Sequence, residues 1–138
     1  MSTILITGAS RGIGRATALK FAIPGNTLIL VCKSNIDKLQ ALAADISARN
    51  VTVFPLQADI SDSADVNRLF DIVKSKGLSI DLLINNAGIS YTGLLQDMTD
   101  SEWHTVLDTN LSSVFYCCRA VIPMMLQNGN GKIINISS

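Results

Sequence analysis

Three glycines carry the first chemical suggestion in this 138-residue sequence: Gly8, Gly12 and Gly14, in the run TGASRGIG at positions 7–14. Apolar Ile4, Leu5 and Ile6 precede them, and a segment rich in helix formers follows from Arg15 to Ala22. A strand, a sharp turn and a helix start together make an anion site, because unpaired backbone N–H groups and the positive helix end face the ligand. Gly8 lets the chain turn, and Gly12 and Gly14 admit backbone or ligand where a Cβ would otherwise stand. A phosphate suits such a turn, with Ser10, Arg11 and Ile13 completing its surface. The spacing is G-x-x-x-G-x-G rather than the G-x-G-x-x-G dinucleotide pattern. The alternative for the run taken alone, the lesser of the two, is a tight turn with no ligand.

Other reactive side chains are few. Asn110 falls among Trp103, Leu107, Leu111, Val114 and Cys118, which mark the apolar stripe of a long helix. A buried amide without partners costs about 1–3 kcal/mol, so Asn110 needs partners, either in a site or on neighbouring backbone. His104 has no Asp or Cys at a useful spacing and reads as a surface or packing residue. Asp62, Asp65 and Asp71 fall on different faces of a cap and helix, which suggests no metal site. Cys32, Cys117 and Cys118 are an odd count without a CxxC, and neighbours 117 and 118 point to different sides of a helix. They read as buried or half-buried thiols in a reducing cytoplasm, not as a disulfide framework.

These groups must be positioned by a regular alternation of elements. Buried strands are expected at 4–6, Thr27 to Val31, Val51 to Leu56, Asp81 to Asn85 and Lys132 to Ile136. Between them, Leu39, Leu42, Ala43 and Ile46 recur at i, i+3, i+4, i+7, and Val66, Leu69, Phe70 and Val73 repeat that spacing. Asn35 caps the former helix, Asp62 or Ser63 the latter, and Gly77 stops it. Thr99-Asp-Ser-Glu102 has capping-box spacing and opens a long helix to about Gln127, which Pro123 should bend or shorten. Five strands alternating with four helices predict an α/β fold: a Rossmann-type doubly wound parallel sheet. The fifth strand is apolar on both faces with nothing after it to cover one face or pair its edge, which predicts a longer fold or a partner.

Ligands of such sheets sit beyond the carboxyl ends of the strands. The topology therefore gathers the glycine run, Cys32-Lys33-Ser34, Asp59-Ile60, Asn85-Asn86-Ala87-Gly88 and Ser137-Ser138. A nicotinamide dinucleotide without a 2′-phosphate is usually met by a carboxylate at the end of the second strand, and one with it by a cation. Here Cys32 and Lys33 stand at that end with no acid, and Arg11 lies in the glycine run, a pattern that favours NADP(H). Lys33 and Arg11 as solvated surface charges are the alternative.

Composition bounds the remaining options. Hydrophobic residues make up 48% and charged residues 16%, which argues for a core-rich globule of one domain over 1–138. Eleven basic and eleven acidic residues cancel, so nothing asks for nucleic acid or an anionic membrane. Met1-Ser2-Thr3 leads straight into a strand without a basic signal region, and no apolar run is long enough to span a bilayer. A cytoplasmic protein is expected.

TGASRGIG at 7–14, Asp59, NNAG at 85–88, Asn110 within LDTNLSSVF, and INISS at 134–138 resemble, in order and spacing, the short-chain dehydrogenase/reductase family. The wording SEWHTVLDTNLSSVF is most similar to its 3-oxoacyl-[acyl-carrier-protein] reductase branch. The resemblance implies that Gly8 to Gly14 hold pyrophosphate and adenosine, that Arg11 and Lys33 meet the 2′-phosphate, and that Asp59 and Ile60 flank the adenine. It implies that Asn86, Ala87 and Gly88 line the central cofactor path, that Asn110 holds a water of a proton relay, and that Ser138 hydrogen-bonds a substrate carbonyl. The family also uses a Tyr-x-x-x-Lys pair, but Tyr91 is followed four residues later by Leu95 and Tyr116 by Ala120. That pair is expected beyond Ser138, together with the segments that close over substrate. A small carbonyl substrate, carrier-protein-bound or free, and a homo-oligomer of the full-length protein are the implied partners. A non-catalytic NADP-binding module, and a reductase of sugars or steroids, share every feature in these residues.

Overall fold

Ile4 and Ile6 point to one side of their strand and Leu5 to the other, and all three are buried. A strand apolar on both sides needs a layer on each, and the computed structural model, which describes residues 1–137, has that arrangement. Five parallel strands form the sheet: β1 (Thr3–Thr7), β2 (Thr27–Cys32), β3 (Thr52–Gln57), β4 (Leu82–Asn85) and β5 (Lys132–Asn135). Their order is β3-β2-β1-β4-β5. In register, Leu5 lies between Ile29 of β2 and Leu83 of β4.

On one face, α1 (Gly12–Phe21) and α2 (Ile36–Ser47) lay Ala18, Leu39, Leu42 and Ile46 against Ile4, Ile6, Leu28 and Leu30. On the other, α3 (Ser63–Ser75) and α5 (Ser113–Asn128) lay Val66, Leu69, Phe70, Val73, Cys117 and Val121 against Leu5, Ile29, Val31 and Leu83. The apolar spacings read in α2 and α3 are the faces that are buried. Asp62 caps α3 through its side chain, whereas Asn35 occupies the cap position of α2 without a side-chain bond. Pro55 sits in β3, an edge strand, where a missing N–H leaves no ladder bond unmade on the open side.

The long helix differs from expectation. Thr99 and Glu102 do form a reciprocal capping box at the start of α4 (Asp100–Leu107). A π turn over Asp108–Ser112 then joins it to α5, and α5 continues through Pro123 to Asn128. The wider turn shifts the helical phase, so one stripe cannot be read across both halves. Ser113, Cys117, Val121, Met124 and Met125 are the buried positions of α5. Trp103 and Leu111 are exposed, as is Asn110, so the stripe expected from 103 to 118 is not a buried one. Phe115, Ile122 and Leu126 are also exposed, as is Ile134 on β5, whose neighbour Ile133 packs on the core.

Candidate functional site

Strands β1 and β4 lie side by side, but the chain leaves β1 toward α1 on one face and reaches β4 from α3 on the other. A crevice opens at such a reversal, beyond the carboxyl ends of the strands. It has a volume of about 540 Å³. Gly8, Ser10, Arg11, Gly12 and Ile13 line it from the turn after β1, and Cys32, Lys33 and Ser34 from the end of β2. Asp59 and Ile60 follow β3, and Asn86, Ala87 and Gly88 follow β4. These groups are therefore brought together, with Gly14 packed behind the turn, whereas Asn85 and Ser137, expected at the same end, are not in the lining.

Two glycines are fixed by crowding. Gly8 has φ +64°, and a Cβ there would stand 2.8 Å from the Ala87 Cα. A Cβ on Gly14 would strike the Gly8 carbonyl oxygen and lie 2.6 Å from Asn86 Nδ2. The turn is thus pressed onto the strip after β4. Hydrogen bonds weld the two: Asn86 Nδ2 donates to the carbonyls of Thr7 (3.0 Å) and Gly8 (3.2 Å). Thr7 Oγ1 accepts from the backbone N–H of Asn86 (3.0 Å) and of Ala87 (3.1 Å). Thr7 heads the run read at 7–14, where the sequence alone assigned it no role.

The start of α1 is left open to a ligand. Its N-cap, Arg11, makes no side-chain bond to the helix, and no acidic residue occupies the first turn. A helix start has N–H groups without intrahelical partners, and no side chain among the described residues serves them. Gly12, with nothing within 4 Å of its Cβ direction, faces open space beside them. An anion fits that surface.

The two cations are not equivalent. Arg11 makes no ion pair among the described residues, whereas Lys33 Nζ lies 2.7 Å from Asp59 Oδ2. Asp59 is further held by the Ser61 N–H (3.0 Å) and hydroxyl (2.6 Å), both donating to Oδ1. Partial burial pushes its carboxyl up, but the bonds from Lys33 and Ser61 outweigh this and hold it below the usual carboxylate range. Cys32 is buried at the same end, and burial pushes its thiol up.

Asn110 sits at the middle of the π turn, outside the crevice lining. Its Oδ1 accepts from the Ile89 N–H and its Nδ2 donates to the Ile89 carbonyl, each at 2.8 Å. Each end of the amide thus makes one bond to the backbone that follows Gly88, and each keeps a second bonding position. The helix instead presents Thr105 and Thr109, one turn apart, to the crevice, with Ile89 beside them. The stripe read across 103 to 118 assigned Thr105 and Thr109 no role, and their i, i+4 spacing was the one signal for them. His104 is exposed. Ser138 lies outside the described residues.

The short chain dehydrogenase family matches residues 2–138. The chain belongs to this family. Among curated relatives, it is 42% identical over 134 residues to the 3-oxoacyl-[acyl-carrier-protein] reductase FabG of Staphylococcus aureus, covering 97% of this chain and 54% of that one. To the protein of that name in Thermotoga maritima it is 38% identical over 136 residues, covering 97% and 54%. A metagenomic short-chain oxidoreductase solved in complex with NADP superposes with a TM-score of 0.93 at 33% identity, covering 99% of this chain and 62% of that one. A short-chain dehydrogenase from Sphingobium yanoikuyae in complex with NADPH gives 0.90 at 36%, covering 100% and 54%. The chain spans about half the length of the curated relatives it matches. Membership accords with the crevice, and no helix among the described residues is long and apolar enough to cross a membrane.

Proposed function

We propose that residues 1–138 are the NADP(H)-binding portion of a short-chain oxidoreductase that interconverts a carbonyl and an alcohol, with a 3-oxoacyl thioester as the substrate. One observation carries the cofactor assignment. The uncapped start of α1, with Arg11 and Lys33 at the same rim, opens onto a crevice large enough for a dinucleotide. The naming of the curated relatives supports the substrate class, and the NADP and NADPH of the structural neighbours support the cofactor.

In this proposal NADPH, when bound, supplies the hydride. The N–H groups at the turn after β1 and the start of α1 bind pyrophosphate, and Arg11 and Lys33 bind the 2′-phosphate. Asp59 and Ile60 flank the adenine, and Asn86 to Gly88 guide the molecule toward the reacting end. Asn110 fixes the strip at Ile89 against the π turn, and its role at a relay water and that of Ser138 at the substrate carbonyl carry over from the family pattern. The 138 residues contain no Tyr-x-x-x-Lys. Cofactor binding is therefore assigned to this chain, and hydride transfer to a polypeptide that also carries that pair, acting in the cytoplasm as a homo-oligomer.

Direct titration of the purified chain with NADPH and NADH tests the cofactor assignment. NADPH should bind the more tightly. Lys33→Asp with Arg11→Ala should move the preference toward NADH, by tenfold or more if two cations meet one phosphate. An unchanged preference would remove both cations from the phosphate site. Appearance of ketone reduction in a protein that also carries the Tyr and Lys, and not in this chain alone, would separate the reductase from a non-catalytic NADP-binding module.

A further inference from the structure

The crevice rim holds a feature that cofactor binding as proposed above does not explain: one of its two cations is already engaged. We propose that Asp59 sets how strongly the site discriminates a 2′-phosphorylated dinucleotide from an unphosphorylated one, by holding Lys33 in an ion pair across the rim. The inference rests on the NADP(H) assignment and concerns its degree.

The pair is built asymmetrically. Asp59 is anchored: Ser61 occupies Oδ1 with two hydrogen bonds, and the Asp59 backbone N–H donates to Asp65 Oδ2 at 2.6 Å. Asp65 is in turn fixed by Arg68, whose Nε donates to its other oxygen at 2.6 Å. At Lys33 only the backbone is anchored, its carbonyl accepting from Gln57 Nε2 at 2.8 Å, while the side chain is 63% exposed. The movable partner is therefore the ammonium, on a flexible four-carbon stem.

A phosphate arriving at this rim must draw Lys33 away from Asp59 or share it, and in either case meets a fixed carboxylate of like charge. Arg11 carries no such handicap. Arg11 therefore supplies most of the preference for the 2′-phosphate, and the Lys33–Asp59 pair tempers it. An unphosphorylated ribose disturbs the pair less, so the pair raises tolerance of NADH relative to a rim with two free cations. The size of the effect is bounded by what a largely exposed pair contributes, up to about fivefold in an equilibrium constant.

The test is calorimetric titration of the purified chain with NADPH and with NADH at one low salt concentration, read as the ratio of the two dissociation constants. Asp59→Asn keeps an acceptor of the same shape and should raise preference for NADPH by about three- to fivefold. Lys33→Met should lower it by less than threefold, and Arg11→Met by clearly more. Combining Asp59→Asn with Lys33→Met should give a smaller gain than Asp59→Asn gives alone, because no ammonium is then released. A ratio unmoved or lowered by Asp59→Asn, or raised equally with and without Lys33, overturns the proposal while leaving the NADP(H) assignment intact. Failure of the unaltered chain to bind either dinucleotide overturns both.

Discussion

Replacing Thr7 with valine exchanges the best-connected hydroxyl among the described residues for a methyl and changes almost nothing else. Thr7 is 1% exposed at the end of β1. Its Oγ1 accepts from the N–H groups of Asn86 and Ala87 at 3.0 and 3.1 Å and faces the Ile84 carbonyl at 3.5 Å as donor. A hydroxyl has one proton and two lone pairs, so all of its capacity is used. Valine has the same branched shape and suits a strand, so packing is nearly conserved. Two backbone N–H groups lose their acceptor. Each such loss costs about 1–3 kcal/mol when buried, and Asn86 and Ala87 are half-buried, so the sum is about 2–4 kcal/mol. Urea unfolding followed by circular dichroism reads this as a midpoint lowered by about 1–2 M with the slope unchanged. Thr7→Ser is the control: it keeps the oxygen, loses one methyl, and should cost about 1 kcal/mol. A Thr7→Val protein as stable as Thr7→Ser would show that the hydroxyl does not bind the strip after β4 in this way.

Gly14→Ala should destabilise the fold by about 1–3 kcal/mol and weaken NADPH binding, since the added methyl meets the Gly8 carbonyl and Asn86 Nδ2; an unfolding curve and a titration both report it. Asn110→Ala should speed amide hydrogen exchange at Ile89 by about fivefold or more, the equivalent of one hydrogen bond, with smaller changes in β1. Burial, reinforced by the adjacent Cys118, pushes the Cys117 thiol up to about 12 from 9.0. The folded state thus keeps a proton that the unfolded chain releases above pH 9, so this contribution is intact below that pH and is lost as the pH rises toward 12. Cys117→Ala should flatten the fall in stability across that window, measured by unfolding at stepped alkaline pH.

Much of this arrangement was legible in the order of residues. The faces of α2 and α3 followed from i, i+3, i+4, i+7 spacing because a surface helix on a sheet has a single apolar stripe, and Leu39, Ile46, Val66 and Phe70 fill it. The crevice residues followed from topology: once strands and helices alternate, the positions just after each strand must gather at one end. Local chemistry also identified the capping box, since Thr99 and Glu102 lie close enough to complete each other's bonds. Tertiary structure decided the rest. The π turn at Asp108–Ser112 has no signature in periodicity, and it alone turned Leu111 outward and set Asn110 against Ile89. Thr7 became a clamp only because β4 pairs beside β1, 77 residues away from Ile84 along the chain. Lys33 read as a free cation because nothing in its neighbourhood of sequence is acidic until Asp37, yet β3 lies next to β2 and delivers Asp59 to within 2.7 Å. Spacing determines which side chains share a face, whereas the pairing of distant strands determines which charges and hydrogen bonds those side chains still have to offer.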